Sequence, residues 1–383
     1  MKRRVWVEID LDALRRNYGK IAAHVKPAKV LCVLKANAYG LGVADYAGAL
    51  ASTDCAGFGV AEPFEALELQ GVLKRLGVAK DVQILSSILP DEIDDMVKAG
   101  VTLPAIDLAT AKLVSSAAVR RRKTAKVHLK LDTGMGRLGV PVADAPEVAR
   151  QIAALPGLDL EGVFSHFPMA YDPEDPFTNR QVAAFRDFLD RAAADGISFR
   201  KVHIAASDAI NNFPQCAKPP FNMVRTGINL HGSFDPNGRK ALKVEPVLTL
   251  KTRVAQVRDL PAGTTLGYGR TWCLREPTRI ATISAGYADG LPLALTNRGH
   301  VLIGGAVCPV VGRISMDYAT VDVSGAPGVK AGDEVVCLGR SGRRSVTPDD
   351  WAGLKGTHAY DIICSLGTRV QRVATSGTAR PHG

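Results

Sequence analysis

The sequence predicts an α/β protein, a (β/α)8 barrel of the TIM type followed by a C-terminal all-β domain. Three observations carry that reading. Eight short apolar runs lie between Val30 and Arg225, most are followed by helical spacing, and beyond about residue 235 that spacing gives way to β-rich segments broken by Gly and Pro. A closed parallel barrel needs eight strand-then-helix units in about 200 residues, whereas an open doubly wound sheet usually stops nearer five or six strands.

Taken in order, Val5, Val7 and Ile9 alternate as a strand, and Asp10 stands where it caps a helix with Leu11, Leu14, Tyr18, Ile21 and Val25 on one face. Val30 to Leu34 is a continuous apolar run that ends abruptly at Lys35, as a strand buried on both faces does. Similar runs recur at Gly57 to Val60, Val82 to Ser86, Thr102 to Ile106, Val127 to Leu131, Leu160 to Ser165, Val202 to Ala206 and Met223 to Arg225. Helical spacing follows in Glu62 to Leu76, Asp91 to Ala99, Leu108 to Val119, Val142 to Leu155, Arg180 to Ala194 and Asp208 to Asn212. Later strands are expected within Leu248 to Val257, Arg279 to Ser284, Val307 to Val311, Ala319 to Val323 and Glu334 to Leu338. The expected domains are a barrel over 10–235 and a β-domain over 236–375 that the N-terminal strand 3–9 joins, with a polar, disordered tail at 376–383.

Composition narrows the function. At 383 residues and 46% hydrophobic, the chain can bury a large core, yet no apolar stretch approaches the roughly 20 residues that span a bilayer. Met1-Lys2-Arg3-Arg4 resembles the start of a signal peptide, but Glu8, Asp10 and Asp12 interrupt its core, so a cytoplasmic protein is expected. Seven scattered cysteines with no CxxC pair argue against disulfides and zinc. The net charge of +10 fits an anionic small ligand, because the basic runs are short and carry none of the aromatics or motifs of nucleic-acid binding.

A barrel of this kind places its active site at the carboxyl ends of the strands. Lys35, Lys130 with Asp132, His166, Ser207 and Arg225 end the runs. Each alone could be an ion-pair partner at a sheet edge; together they converge on one mouth. Lys35 follows five apolar residues, where desolvation lowers an amine's pKa and makes it a nucleophile able to form a Schiff base. Ser207 and Thr226-Gly227-Ile228 follow strands seven and eight, where barrel enzymes bind phosphate. A reactive lysine opposite a phosphate cradle suits pyridoxal 5′-phosphate; a sugar-phosphate aldolase shares that much.

Seven blocks then resemble the motifs of alanine racemases, the fold-type III pyridoxal-phosphate enzymes. They are Val33 to Gly42, Lys130 to Gly139, Ser165-His166-Phe167, Asn222 to Ile228, Gly267-Tyr268-Gly269, Ala285 to Gly290 and Gly312 to Asp317, in the family's order through nearly the whole chain. The resemblance implies that Lys35 carries the cofactor and is the base on one face of the substrate Cα, with Tyr268 the base on the other. Inversion without a swivelling group needs two bases on two faces. A phenol's ordinary pKa is about 10, so Tyr268 needs neighbouring cations. Arg225 would face the pyridine nitrogen and, as a donor only, keep it unprotonated. Arg137 would contact the cofactor phenolate oxygen and the substrate carboxylate, oriented by Lys130, which is carbamylated in many members. His166 would pack on the ring with His203 nearby, and Tyr39, Ser207, Tyr360 and the backbone N–H groups of Gly227 and Ile228 would hold the phosphate. The Met316 N–H would meet the substrate carboxylate, with Asp317 and Tyr287 shaping the entrance.

In the family, the residues matching Tyr268, Tyr287 and Met316 come from the partner of a head-to-tail homodimer, so two composite sites are expected. Ser315 stands where cysteine is common, and the family's tyrosine-arginine stretch reads Ser365 to Val370. The implied reaction interconverts L-alanine and D-alanine for cell-wall synthesis. The rivals are a racemase with serine or broader preference, a non-catalytic pyridoxal-phosphate carrier, and a barrel decarboxylase. A carrier of that type lacks a counterpart of Tyr268, and Arg225 has the wrong sign for a decarboxylase.

Overall fold

The computed structural model describes residues 3–235 and 237–376. The expected disordered tail, apart from Ser376, lies outside the described residues. Strand β1 (Trp6–Asp10) runs into α1 (Leu11–His24), and the Asp10 carboxylate caps the helix by accepting from Asp12 N at 3.0 Å and Ala13 N at 2.8 Å. The strand starts at Trp6 rather than at residue 3, because the chain before it turns aside and the Arg3 guanidinium donates to the carbonyls of Thr368 and Arg369.

Eight parallel strands then close on themselves: β2 (Lys29–Val33), β3 (Gly57–Val60), β4 (Asp81–Ile84), β5 (Leu103–Ala105), β6 (Ala125–Asp132), β7 (Leu158–Phe164), β8 (Lys201–His203) and β9 (Met223–Thr226). A parallel bridge, Gln83 to Thr102, joins β4 to β5. The seam between β8 and β9 is made by Asn222 N to Val202 O at 3.1 Å and Arg225 N to Ala205 O at 3.0 Å, and β9 pairs with β2 from Met223↔Lys29 to Thr226↔Cys32. Four residues of β2 and all of β3 are buried, as strands covered on both faces must be.

The covering helices are α2 (Val43–Ala51), α3 (Pro63–Leu76), α4 (Ile93–Ala99), α5 (Leu108–Arg120), α6 (Ala145–Ala153), α7 (Pro176–Ala194) and the short α8 (Ser207–Asn212). Sequence spacing does not disclose α2: Ala-rich and buried on most of its surface, it shows no polar face to set its period.

The second part is built on the long strand β10 (Leu248–Leu260), antiparallel to both β1 and β11 (Thr278–Ile283). Strands β12 (His300–Ile303), β13 (Ala306–Pro309), β14 (Ala319–Asp322) and β15 (Glu334–Ser341) extend it, and the last strand, β16 (Gln371–Thr375), pairs in parallel with β1. The first strand is thus held between β10 and β16, which ties the β-domain to the start of the barrel. Two short helices, α9 (Pro348–Lys355) and α10 (Ala359–Cys364), interrupt this β-rich part. The signal for α9 is present in Thr347-Pro348-Asp349-Asp350: Thr347 accepts from Asp350 N and Asp350 caps back.

Candidate active site

Directly after β2 the backbone does something L-residues avoid. Ala36, Asn37, Ala38 and Tyr39 all have φ between 52° and 59°, a full left-handed turn. Such a conformation is unfavourable by roughly 1–2 kcal/mol per residue, so the surroundings must hold it. They do so from both sides. The Glu65 carboxylate accepts from Ala36 N, Asn37 Oδ1 accepts from Val43 N at 2.7 Å, and Arg372 donates from Nε to Gly40 O at 2.8 Å while its other nitrogens bind the carbonyls of Leu366, Gly367 and Val370. The turn fixes where Lys35 stands at the barrel mouth.

Lys35 opens into a concavity of cations. Burial, then Arg137, then Arg225, lower its pKa. Burial and the same two guanidiniums, with Lys35, push Lys130 down to about 8, and its Nζ donates to Leu85 O at 2.9 Å. His166 is pushed down to about 3 by burial, Arg225 and Arg137, so its ring is neutral. The Asp132 carboxylate accepts from Gly134 N and Gly136 N and so shapes the loop that leads to Arg137. The mouth therefore suits a ligand that is both anionic and a proton acceptor.

Arg225 is buried, and burial lowers its pKa to about 9, which leaves it charged at neutral pH. One terminal nitrogen donates to His203 Nδ1 at 2.8 Å, and the other to Ser165 O at 2.7 Å and Ile204 O at 3.0 Å. Its Nε has no acceptor among the described residues and stays available to a ligand atom.

At the end of β9, the neighbour of β2 in the barrel, Gly227 N donates to Ser207 Oγ at 3.1 Å. A Cβ on Gly227 would lie 2.0 Å from the Tyr39 hydroxyl, so that hydroxyl is seated against bare backbone. The Tyr360 ring lies 6.1 Å from that of Tyr39, bringing α10 of the β-domain to the same cradle.

Tyr268, Tyr287, Met316 and Asp317 stand elsewhere in this chain. Tyr268 is 73% exposed, and its side chain makes no hydrogen bond or ion pair among the described residues. Tyr287 N donates to Ser315 O and Ala288 N to Met316 O, so their two loops run together where Gly286 lets backbones meet. Asp317 and Asp289 are bridged by Arg369, and the Met316 N–H has no acceptor among the described residues.

Residues 9–235 match the family model for the alanine racemase N-terminal domain, and residues 247–374 that for the alanine racemase C-terminal domain. The chain belongs to the alanine racemase family. The alanine racemase of Syntrophobacter fumaroxidans is 38% identical over 364 residues, covering 94% of this chain and 95% of that one. The solved alanine racemase of D-cycloserine-producing Streptomyces lavendulae superposes with a TM-score of 0.91 at 35% identity, covering 98% of both chains. That of Bartonella henselae, with covalently bound pyridoxal phosphate, has a TM-score of 0.87 at 29% identity and covers 98% of this chain and 100% of that one.

Beyond the alanine racemase motifs, several residues that shape the site escape sequence reading: Glu65 and Arg372 around the mouth, Gln83, His128 and Glu161 beneath it, and Arg369 between the Asp289 and Asp317 loops. Only Glu65 has a sequence signal, as the third residue after Glu62 in a capping box.

Proposed function

We propose that the chain is a pyridoxal-phosphate-dependent alanine racemase that interconverts L-alanine and D-alanine with two bases and supplies D-alanine for peptidoglycan. One observation carries the reading: Lys35, its pKa lowered by partial burial and two guanidiniums, stands on a braced left-handed turn whose Tyr39 reaches a cradle of hydroxyl and backbone N–H groups on the neighbouring strand end. The cradle fits the cofactor, since Gly227 leaves room that any side chain would fill, and Tyr39, Tyr360, Ser207 and the N–H groups of Gly227 and Ile228 can share a phosphate's charge. Bound pyridoxal phosphate supplies the electron sink that makes the substrate Cα–H acidic.

The chain's own groups do the rest. Lys35 Nζ takes or returns the proton on one face of Cα, and Tyr268 Oη on the other. Arg225, whose terminal nitrogens are already engaged, would offer Nε to the pyridine nitrogen of the bound cofactor as a donor that does not yield its proton, which would weaken the sink and disfavour transamination. Arg137 and the Met316 N–H hold the carboxylate, His166 packs on the ring as a neutral imidazole, and Tyr287 and Asp317 line the entrance. Lys130, with its pKa near 8, carries enough free amine to take up CO2 as a carbamate, and the anion formed beside Arg137 turns repulsion into pairing.

The working unit is a homodimer in which Tyr268, Tyr287 and Met316 complete the partner's barrel mouth. What supports this is their exposure in the single chain, together with that of Trp272 and Tyr318 beside them. No helix among the described residues is long and apolar enough to cross a membrane, and the seven cysteines are free, which suits a reducing cytoplasm. The test is catalytic efficiency over a panel of L-amino acids, with borohydride reduction and peptide mapping. Alanine should lead and the reduced cofactor should sit on Lys35; clear preference for serine or a basic amino acid, or a label elsewhere, overturns the proposal.

A further inference from the structure

Beneath Arg225 a line of polar side chains runs down through the barrel core. Arg225 donates to His203 Nδ1 at 2.8 Å, His203 Nε2 lies 3.2 Å from His128 Nδ1, and His128 Nε2 lies 3.0 Å from Glu161 Oε2. All four residues are at most 5% exposed. Gln83, His128 and His203 come from the third, fifth and seventh barrel strands, the alternation that forms one layer of a barrel interior. The layer is polar where branched apolar side chains usually dominate.

The backbone is bent to make this contact. Strands β6 and β7 pair in register up to Val127↔Leu160 and resume at His128↔Gly162, so Glu161 is the extra residue of a β-bulge. A bulge re-aims a side chain, and this one delivers a carboxylate to His128. A Cβ on Gly162 would sit 2.8 Å from the His128 ring, so the glycine makes the room.

We infer that Glu161 and His128 are positioning residues that act through His203 to hold Arg225 as a fixed donor toward the cofactor. Guanidinium only donates, so His203 Nδ1 must accept and its proton sits on Nε2. That proton is given to His128 Nδ1, which also accepts from the Gln83 amide at 2.9 Å. The His128 proton is then on Nε2 and goes to the carboxylate. Every donor points the same way, from Arg225 to Glu161, and reversing either tautomer sets N–H against N–H. Both rings are kept neutral by burial, with the Arg225 charge adding to it at His203. Glu161 keeps its charge because Lys201 Nζ lies 3.1 Å away, itself paired with Asp81 at 2.8 Å. The Phe164 ring stacks on His203 at 5.1 Å and fixes its plane.

The inference rests on the racemase reading for its consequence, and its test separates the two. Histidine-selective 15N spectra of the holoenzyme should show both rings neutral with Nε2 protonated from pH 7 to 9. Glu161→Leu should shift the His128 Nε2 15N signal, whose proton loses its acceptor, leave the His203 tautomer that Arg225 enforces, and lower kcat by about ten-fold or more with KM nearly unchanged, as loss of an outer partner does at other oriented imidazoles. Glu161→Gln, which keeps an acceptor, should restore the His128 Nε2 signal and most of the lost kcat relative to the leucine variant. If Glu161→Leu does not fold, Glu161→Leu with Lys201→Met removes both charges together and is read the same way. Wild-type spectra with either ring cationic or Nδ1-protonated, or a His128 Nε2 signal and kcat unchanged in the leucine variant, overturn the inference; wild-type enzyme inactive on alanine overturns the racemase reading and leaves the spectra to decide the relay.

Discussion

Gly227→Ala tests the cradle most directly. The new Cβ would stand 2.0 Å from Tyr39 Oη, 2.8 Å from Cζ and 3.3 Å from Cε2, so the phenol must retreat by more than an ångström. It has little room: Tyr39 is 5% exposed, its ring is edge-on to His231 at 4.6 Å, and its backbone belongs to the left-handed turn that carries Lys35. Overpacking of this kind costs about 1–3 kcal/mol, and at 1.4 kcal/mol per decade cofactor affinity should fall by about 5- to 150-fold. The assay is equilibrium titration of apoprotein with pyridoxal phosphate, alongside thermal unfolding of the apoprotein. Tyr39→Phe removes the shortest contact and leaves the one at 2.8 Å, so in the double variant the two losses should be less than additive. An alanine variant that binds the cofactor within about two-fold of wild type, or strictly additive losses, refutes the geometry of this site.

Other perturbations reach other parts of the machinery. Tyr268→Phe should lose racemisation and keep the visible absorbance of the lysine-bound cofactor, whereas Lys35→Ala should lose both; normal racemisation by the phenylalanine variant refutes the two-base assignment. Mixed in equal amounts and allowed to exchange, these two dead variants should recover about a quarter of wild-type activity, because half the dimers are then mixed and each has one intact composite site; no recovery refutes the dimeric site. Lys130 titrates near 8 in the fold against 10.5 ordinarily, so the folded state binds fewer protons than the unfolded one between those values and apoprotein stability should gain from this residue as pH rises through that window. The gain should vanish in Lys130→Met, and a 13C carbamate signal from labelled bicarbonate should vanish with it; a signal that persists in the variant assigns the carbamate elsewhere. Arg372→Leu removes the brace on Gly40 and should weaken cofactor binding while leaving the barrel folded by circular dichroism; unchanged affinity refutes the bracing role.

The barrel is legible in the sequence because parallel strands buried on both faces leave a local signature, an apolar run closed by a polar residue, and that residue already lies at the functional mouth. Lys35, His166, Ser207 and Arg225 could be found in this way. Helix α2 could not, since a buried Ala-rich helix shows no polar face, whereas α9 carries its own cap in Thr347 to Asp350, a signal that its β-rich neighbours outweigh.

The turn after Lys35 shows where local reading stops. Its glycines suggest a close backbone approach, yet Ala36 to Tyr39 are residues that avoid positive φ, and contacts from Glu65 and Arg372, far apart in the chain, hold them there. The bulge at Glu161 is likewise a relation between two strands and has no local mark.

By itself, then, the order of residues determined the fold class and the family and marked the polar side chains that close the strand runs, because each is written within a few residues of chain. Only the tertiary structure decided which groups share an environment: the cations that lower the pKa of Lys35 and Lys130, the acceptors that pin Arg225, and the exposure of Tyr268 away from its own barrel. Desolvation and Coulomb forces act through space over a few ångströms, and distance along the chain does not record them.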